Sequence, residues 1–380
     1  MARVAFVMEQ TLGHVTHARN LRAVLDRCSA IDPVWLPIPF EVHGPARLLP
    51  LYRGNWSVRA SWRARRALRP DAGSLDALFF HTQVTSLFSV DLMRRIPTVI
   101  SLDATPLNYD EVGASYGHRA AGEGFLDRQK FQLNCRALRS ARALIAWSEW
   151  TKRSLVEQYG VAADRVQVLA PGAADMFFEV GRQRLDARTE STDREAAGSA
   201  GAPARLLFVG GDWERKGGPI LLEALSSLPA ESWRLDVVTR AEVAPRPGVV
   251  VHRDVGPNSP ELLRLFAEAD LFVLPSLGEC LAVVLMEATA AALPVITTDV
   301  GALGEAVRPG ETGLVVPPRD VLALREALRR LIDDVAARQR MGRAAHELAV
   351  ERFAATHNNQ KILDVLAEQA RLGTRPGRAA

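Results

Sequence analysis

Apolar residues along this chain fall into short, nearly continuous runs at 3–8, 75–80, 97–102, 143–146 and 166–169, and again at 205–210, 234–238, 249–252, 271–274 and 295–298. Runs of that length without strict alternation are expected of strands covered on both faces. Between them lie helical patterns: 17–26, a helix opened by Ser148 with Thr151 at its third position, and closing helices at 320–332, 334–348 and about 357–372. This alternation predicts an α/β protein built on open, mostly parallel sheets. The segment 181–204, GRQRLDARTESTDREAAGSAGAPA, breaks the pattern because it has almost no large apolar residue to bury. It is expected to be a flexible insert or linker. The predicted organisation is an N-terminal domain over 1–180, the insert at 181–204, a second domain over 205–352, a last helix over 353–372 and a loose tail at 373–380.

Length and composition sharpen this picture. The chain has 380 residues, too many for one ordinary core, so two domains are expected. Its apolar runs are strand-sized and fall short of a membrane span. No signal-like stretch precedes the first strand, which predicts a cytoplasmic protein. Cys28, Cys135 and Cys280 are isolated and have neither zinc-site nor disulfide-framework spacing. The net charge of +3 is ordinary, but between Pro45 and Pro70 Arg47, Arg53, Arg59, Arg63, Arg65, Arg66 and Arg69 cluster with no acidic residue among them and with Trp56 and Trp62 interleaved. Such a stretch suits peripheral contact with an anionic membrane or an anionic acceptor; the alternative is a solvated basic helix whose tryptophans pack inward. No nucleic-acid-binding module accompanies it.

The chemistry concentrates in LFVLPSLGECLAVVLME, residues 271–287. A strand runs through a turn into a helix N-terminus, which is an anion site. Glu279 in the turn would repel a bare phosphate, so a ligand with both hydroxyls and phosphate fits best. Glu279 is read as facing a sugar, and Glu287, on an apolar helix flank, as facing ribose hydroxyls. Eight helical residues span about 12 Å, so the two carboxylates grip different parts of a long ligand. A second strand–loop–helix, GGDWERKGGP at 210–219, allows close backbone approach at Gly210 and Gly211 and supplies Arg215 and Lys216 to neutralise a diphosphate. Its spacing is neither a dinucleotide fingerprint nor a P-loop. Leu281, Ala282 and Val283 at the helix start, with Arg240 and Val255 beyond two strands, complete the expected nucleotide pocket. In the first half, Gly13 and His14 follow the first strand, and Asp103 follows the strand at 97–102. Both His14 and Asp103 are candidates to touch sugar or acceptor, with helix capping and turn bonding as their respective alternatives. His81 ends the intervening strand.

Two glutamates separated by seven residues, together with GALGE at 301–305, GETGLVVPPRD at 310–320, the loop around Lys216 and APGA at 170–173, resemble glycosyltransferase family 4. The resemblance is strong over 205–352 and looser in the first half. It implies a GT-B fold, with two Rossmann-like open-sheet domains facing a deep cleft, the acceptor on the first and the donor on the second. It implies a retaining hexosyltransferase, with a UDP- or GDP-linked sugar as donor, no cofactor and no metal. The acceptor would be a glycan, a lipid-linked hydroxyl or a small metabolite, as in polysaccharide biosynthesis. Two positions depart from the family pattern: Gly211 stands where a basic residue often follows the first glycine, and Asp103 stands near the place of a frequent histidine. Arg215 is the proposed compensation for the first. A sugar-nucleotide epimerase, a phosphorylase carrying pyridoxal on Lys216 and a non-catalytic carbohydrate-binding protein are the alternatives.

Overall fold

The computed structural model describes residues 1–11, 13–41, 55–118, 120, 122, 124–191 and 202–373. Its strands form two six-stranded sheets. The first comprises β1 (Ala2–Gln10), β2 (Ile31–Pro39), β3 (Ala77–His81), β4 (Thr98–Leu102), β5 (Ala143–Ala146) and β6 (Val166–Val168), in the order β2-β1-β3-β4-β5-β6. The second comprises β7 (Ala204–Val209), β8 (Trp233–Val238), β9 (Val249–His252), β10 (Leu271–Leu274), β11 (Val295–Thr298) and β12 (Gly313–Val316), in the order β12-β11-β10-β7-β8-β9. Every strand pairing among the described residues is parallel. The chain divides into two compact units, one of Met1–Tyr109, Ala120–Pro171 and Thr356–Ala380, the other of Asp110–Arg119 and Gly172–Ala355.

In the first unit the two-residue period of β1 separates two apolar layers. Val4, Phe6 and Met8 pack with Leu21 of the helix His14–Leu25 and with Ile362, Leu363 and Leu366 of the final helix Ala355–Gly373. Ala5 and Val7 pack on the opposite face with Ala60, Ala64, Leu138 and Tyr159. Phe6 and Phe79 are fully buried in the first layer and each contributes about 1.5–3 kcal/mol of transfer free energy. In the second unit all four residues of β10 are fully buried, the covering its apolar run predicts.

Several elements differ from the sequence expectation. The first helix begins at His14, one turn before the expected 17. Strand β2 escapes the apolar pattern because Pro33, Pro37 and Pro39 interrupt it; it lies at the sheet edge, where the N–H groups that proline lacks are not required. The flexible insert expected from 181 is corrected: Asp175–Ser191 is one helix. Its start is anchored by buried Phe177 and Phe178, and the Arg184 guanidinium donates to the carbonyls of Phe266 at 2.7 Å and Ala291 at 3.1 Å. Backbone acceptors offered by neighbouring elements thus replace the missing apolar residues. Gly181 also permits a close approach, since a Cβ there would stand 2.1 Å from the Ala290 carbonyl oxygen. Residues 192–201 of the expected insert and 374–380 of the expected tail lie outside the described residues.

The two topologies share one functional consequence. In the first sheet the chain moves outward from β1 to β2 and then returns to the other side of β1 as β3. In the second it moves from β7 through β8 to β9 and returns as β10 on the other side of β7. Connections leave in opposite directions at each of these points, so the carboxyl ends of β1 and β3, and of β7 and β10, each flank a crevice.

Candidate functional site

The second unit builds its site from the loops after β7 and β10. Gly217 has φ +80°, and a Cβ there would fall 1.9 Å from the Pro275 carbonyl oxygen, so glycine lets the two loops touch. That contact brings Lys216 onto Glu279, to which its Nζ donates. Arg215 Nη1 donates to the same carboxylate oxygen at 3.2 Å, to the Gly278 carbonyl at 2.7 Å and to the Tyr116 hydroxyl at 3.1 Å, while Nε donates to Asp212 at 3.0 Å. Burial pushes the Glu279 carboxyl up, but Lys216 and Arg215 outweigh it and hold it below the ordinary range. Burial also acts against the Arg215 charge, and Glu279, Tyr116 and Asp212 more than restore it.

Glu287 contrasts with this. It lies buried in the helix Val283–Ala290, and its carboxylate has no hydrogen bond or ion pair among the described residues. Burial pushes it up to about 7. The same helix starts at Ala282 without a side-chain cap, and the helix Gly218–Leu225 starts likewise at Gly217. Helices starting after Ser148, Ser259, Asp320 and Asp334 are capped by those side chains. Uncapped N–H groups at a switch point are available to an anion. Leu281, Ala282 and Val283 are buried at this helix start. Gly210 packs beside Lys216, whereas a Cβ on Gly211 would meet open space. Arg240 is exposed just beyond β8 and Val255 half-buried beyond β9, on the same carboxyl edge. The nearby His252 is taken up by Asp236, at 2.7 Å.

In the first unit, Gly13 occupies the N-cap position of the helix that His14 opens. The His14 side chain does not cap the helix: Nδ1 lies 2.9 Å from His81 Nε2, and Nε2 lies 3.5 Å from Asp103 Oδ2. Burial raises the Asp103 carboxyl, and the His14 imidazole overrides that effect to keep it below its usual range. His81 stacks on Trp147 at 5.4 Å, and burial, aided by the neighbouring imidazoles, drives it well below the usual histidine range. His17, fully buried one turn on, is lowered to about 3 by burial first and His14 second, so it stays neutral. Glu9 closes the group: one carboxylate oxygen accepts from Thr82 at 2.6 Å and the other from the Trp56 indole at 2.7 Å.

Reading the sequence brought forward His14, Asp103, Arg215, Lys216, Glu279 and Glu287 but missed the parts played by Tyr116 and Trp147. Tyr116 stands 163 positions from Glu279, and nothing in its local sequence signals the contact. Trp147 ends an apolar strand run and reads as core. The basic stretch divides. Arg47 and Arg53 lie outside the described residues. Arg59 is buried, and Arg65 makes a two-pronged pair with Asp91 at 2.7 Å. Trp56 points inward, but Trp62 is 46% exposed.

Among the described residues, no group of three or more His, Cys, Asp or Glu side chains is arranged to hold a metal, and no helix is long and apolar enough to cross a membrane. Residues 203–334 match the family described as "Glycosyl transferases group 1" and residues 18–174 the one described as "Glycosyltransferase Family 4". The chain is 29% identical over 373 aligned residues to a glycogen synthase of Mycobacterium tuberculosis, covering 87% of this chain and 82% of the relative. It is 30% identical over 276 residues to a D-inositol 3-phosphate glycosyltransferase of Corynebacterium diphtheriae, covering 65% and 63%. Among solved structures, sucrose-phosphate synthase from Thermosynechococcus elongatus superposes with TM-score 0.74 at 17% identity, covering 98% of this chain and 100% of that one. Anabaena HepE in complex with UDP-glucose superposes with TM-score 0.66 at 16% identity, covering 97% and 100%. Two Rossmann-like sheets, each with its polar loops at a switch point, and matches to the family in both halves make this chain a GT-B-fold glycosyltransferase of family 4.

Proposed function

We propose that the donor is a uridine diphosphate hexose held on the second unit, and that Lys216, Glu279 and Glu287 divide it among them. The convergence of Lys216 and Arg215 on one buried carboxylate carries this reading. Lys216 takes the diphosphate together with the uncapped helix starts, Glu279 takes sugar hydroxyls, and Glu287 takes the ribose. Arg215, buried and bonded on several sides, acts as a bracket for the loop more than as a free phosphate ligand. The uracil assignment draws on relatives solved with UDP or UDP-glucose. Transfer breaks the bond from the anomeric carbon to the diphosphate oxygen and forms the bond to the acceptor oxygen on the same face. The departing phosphate oxygen accepts the acceptor proton, so the products are a nucleoside diphosphate and a glycoside of unchanged anomeric configuration. Stabilising the diphosphate charge as it develops is the main catalytic contribution. On the first unit, His14 and Asp103 orient the acceptor hydroxyl.

The test is mass spectrometry of purified protein with UDP-glucose, UDP-galactose, UDP-N-acetylglucosamine and GDP-mannose against a set of hydroxyl acceptors. A uridine donor with a hexose added to the acceptor supports the reading. Selection of GDP-mannose overturns the uracil assignment, and donor consumption yielding only an epimer overturns transfer.

A lipid-linked or membrane-borne acceptor is favoured by one observation. Trp62 is half-exposed beside Arg66, whose guanidinium lies 5.6 Å from its ring, and Arg65 and Arg69 line the same shallow pocket. An exposed aromatic among cations suits an anionic lipid interface.

A further inference from the structure

The segment Gly113–Tyr116 is a single 3₁₀ turn within the second unit, although its chain neighbours on both sides, up to Tyr109 and from Ala120, belong to the first. Its ends are pinned together where His118 Nε2 meets Asp110 Oδ1 at 2.6 Å. It is fastened to the loop after β10 by Ser115, whose hydroxyl donates to the Leu277 carbonyl at 2.8 Å. Gly278 is required for this approach, since a Cβ there would stand 2.6 Å from Ser115 Cβ and 2.8 Å from the Val112 carbonyl oxygen. The segment therefore delivers one side chain to the charged cluster: the Tyr116 ring lies 4.2 Å from the Arg215 guanidinium carbon. Its hydroxyl accepts from Arg215 Nη1 at 3.1 Å and donates to Glu279 Oε1 at 3.4 Å.

We propose that Tyr116 is a positioning residue for transfer, acting through Glu279. The two oxygens of Glu279 have different partners. Oε2 is held by Lys216 and Arg215, and Oε1 by the phenol. When Lys216 turns to the donor diphosphate, Oε2 gains a free lone pair for the sugar hydroxyls while Arg215 stays beside it and the phenol keeps Oε1 in place. The carboxylate thus pivots about a fixed point instead of swinging free, and the stacked ring keeps Arg215 from following the diphosphate. A cation over an aromatic face and a hydrogen bond to a charged group are each strong enough to hold such an arrangement in a buried site. This inference rests on the reading that Glu279 meets the donor sugar.

The experiment is a double-mutant cycle with Tyr116→Phe and Glu279→Gln, assayed with UDP-glucose or whichever nucleotide sugar the donor panel selects. The phenylalanine keeps the ring over Arg215 and removes only the hydroxyl. It is expected to lower kcat about tenfold with donor KM changed less than threefold and with an unchanged melting temperature. In the Glu279→Gln background the same substitution is expected to lower kcat no further, because the group it acts through is gone. Equal losses in both backgrounds, or an unchanged kcat in Tyr116→Phe while Glu279→Gln is inactive, overturn the role of Tyr116 and leave the Glu279 reading standing. Full activity of Glu279→Gln overturns the Glu279 reading itself.

Discussion

Glu287 and Glu279 stand in the same turn-and-helix segment, and burial raises both carboxyls, yet they end on opposite sides of the ordinary value. Glu279 has two cations and stays ionised; Glu287 has none, and its carboxyl sits at about 7. A carboxyl raised in the folded state binds more protons there than in the unfolded chain between about pH 4.5 and 7, so stability falls as pH rises through that window. The full cost, reached above about pH 7, is ~3 kcal/mol. Glu287→Gln is therefore expected to match the wild-type melting temperature near pH 4 and exceed it at pH 8. On the proposed reading ribose hydroxyls donate to the ionised form, so donor affinity is expected to rise from pH 5.5 to 7.5 and the glutamine variant to lose that rise. Calorimetry with a nucleotide sugar, whose diphosphate has no ionisation in that range, measures it; a flat wild-type profile removes Glu287 from the donor. Arg215 and Lys216, adjacent in sequence, should separate in the same way. Lys216→Ala is expected to weaken nucleotide binding and to lower the melting temperature less than Arg215→Ala, because Arg215 still faces Glu279 and keeps its other bonds. Arg215→Ala leaves Glu279 and the Gly278 carbonyl short of a buried partner, so it should lower both. In the first unit, His14→Ala is expected to reduce transfer with nucleotide affinity intact, and transfer at the wild-type rate would remove His14 from the acceptor side.

Among the elements, legibility followed covering. Strands β5, β10 and β11 coincide with their apolar runs because both faces are packed; β9 coincides as well, although it lies at a sheet edge with Val250 exposed. The caps at Ser148, Asp320 and Asp334 stand where the helical patterns begin. Strand β2 was hidden because the edge tolerates the prolines that argue against a strand, and 181–191 because its anchors are carbonyls far away in sequence. The charged cluster was half-legible for a related reason. Lys216 and Glu279 belong to recognisable strand–loop–helix passages, whereas Tyr116 reaches them by a tertiary path that no local pattern encodes. Gly217 was legible as a loop glycine, but the need for it comes from the neighbouring Pro275 carbonyl. Gly217→Ala combines a left-handed backbone with that clash and is expected to abolish nucleotide binding and lower the melting temperature by several degrees.

At the scale of the molecule, the two units repeat one solution: a parallel sheet, a reversal of winding direction and polar side chains on the loops beside it. The composition adds a surface asymmetry, because Arg65 is neutralised by Asp91 while Trp62, Arg66 and Arg69 line a shallow pocket. Flotation with vesicles of rising anionic lipid content is expected to carry the protein upward at low salt and to release it as the Debye length shrinks. Protein that remains at the bottom at every lipid composition excludes the membrane-borne acceptor.

If Lys216 binds the donor diphosphate as proposed, its pairing with Glu279 has a kinetic consequence. The carboxylate is a tethered rival of the diphosphate, present at the effective concentration that covalent attachment confers. On that reading donor is expected to displace it on entry, and after transfer it is expected to reclaim the lysine and speed nucleotide release. Removing its charge in Glu279→Gln should make free UDP bind more tightly and leave more slowly, even as transfer slows. On the proposed donor reading, weak retention of product follows from the Lys216–Glu279 ion pair.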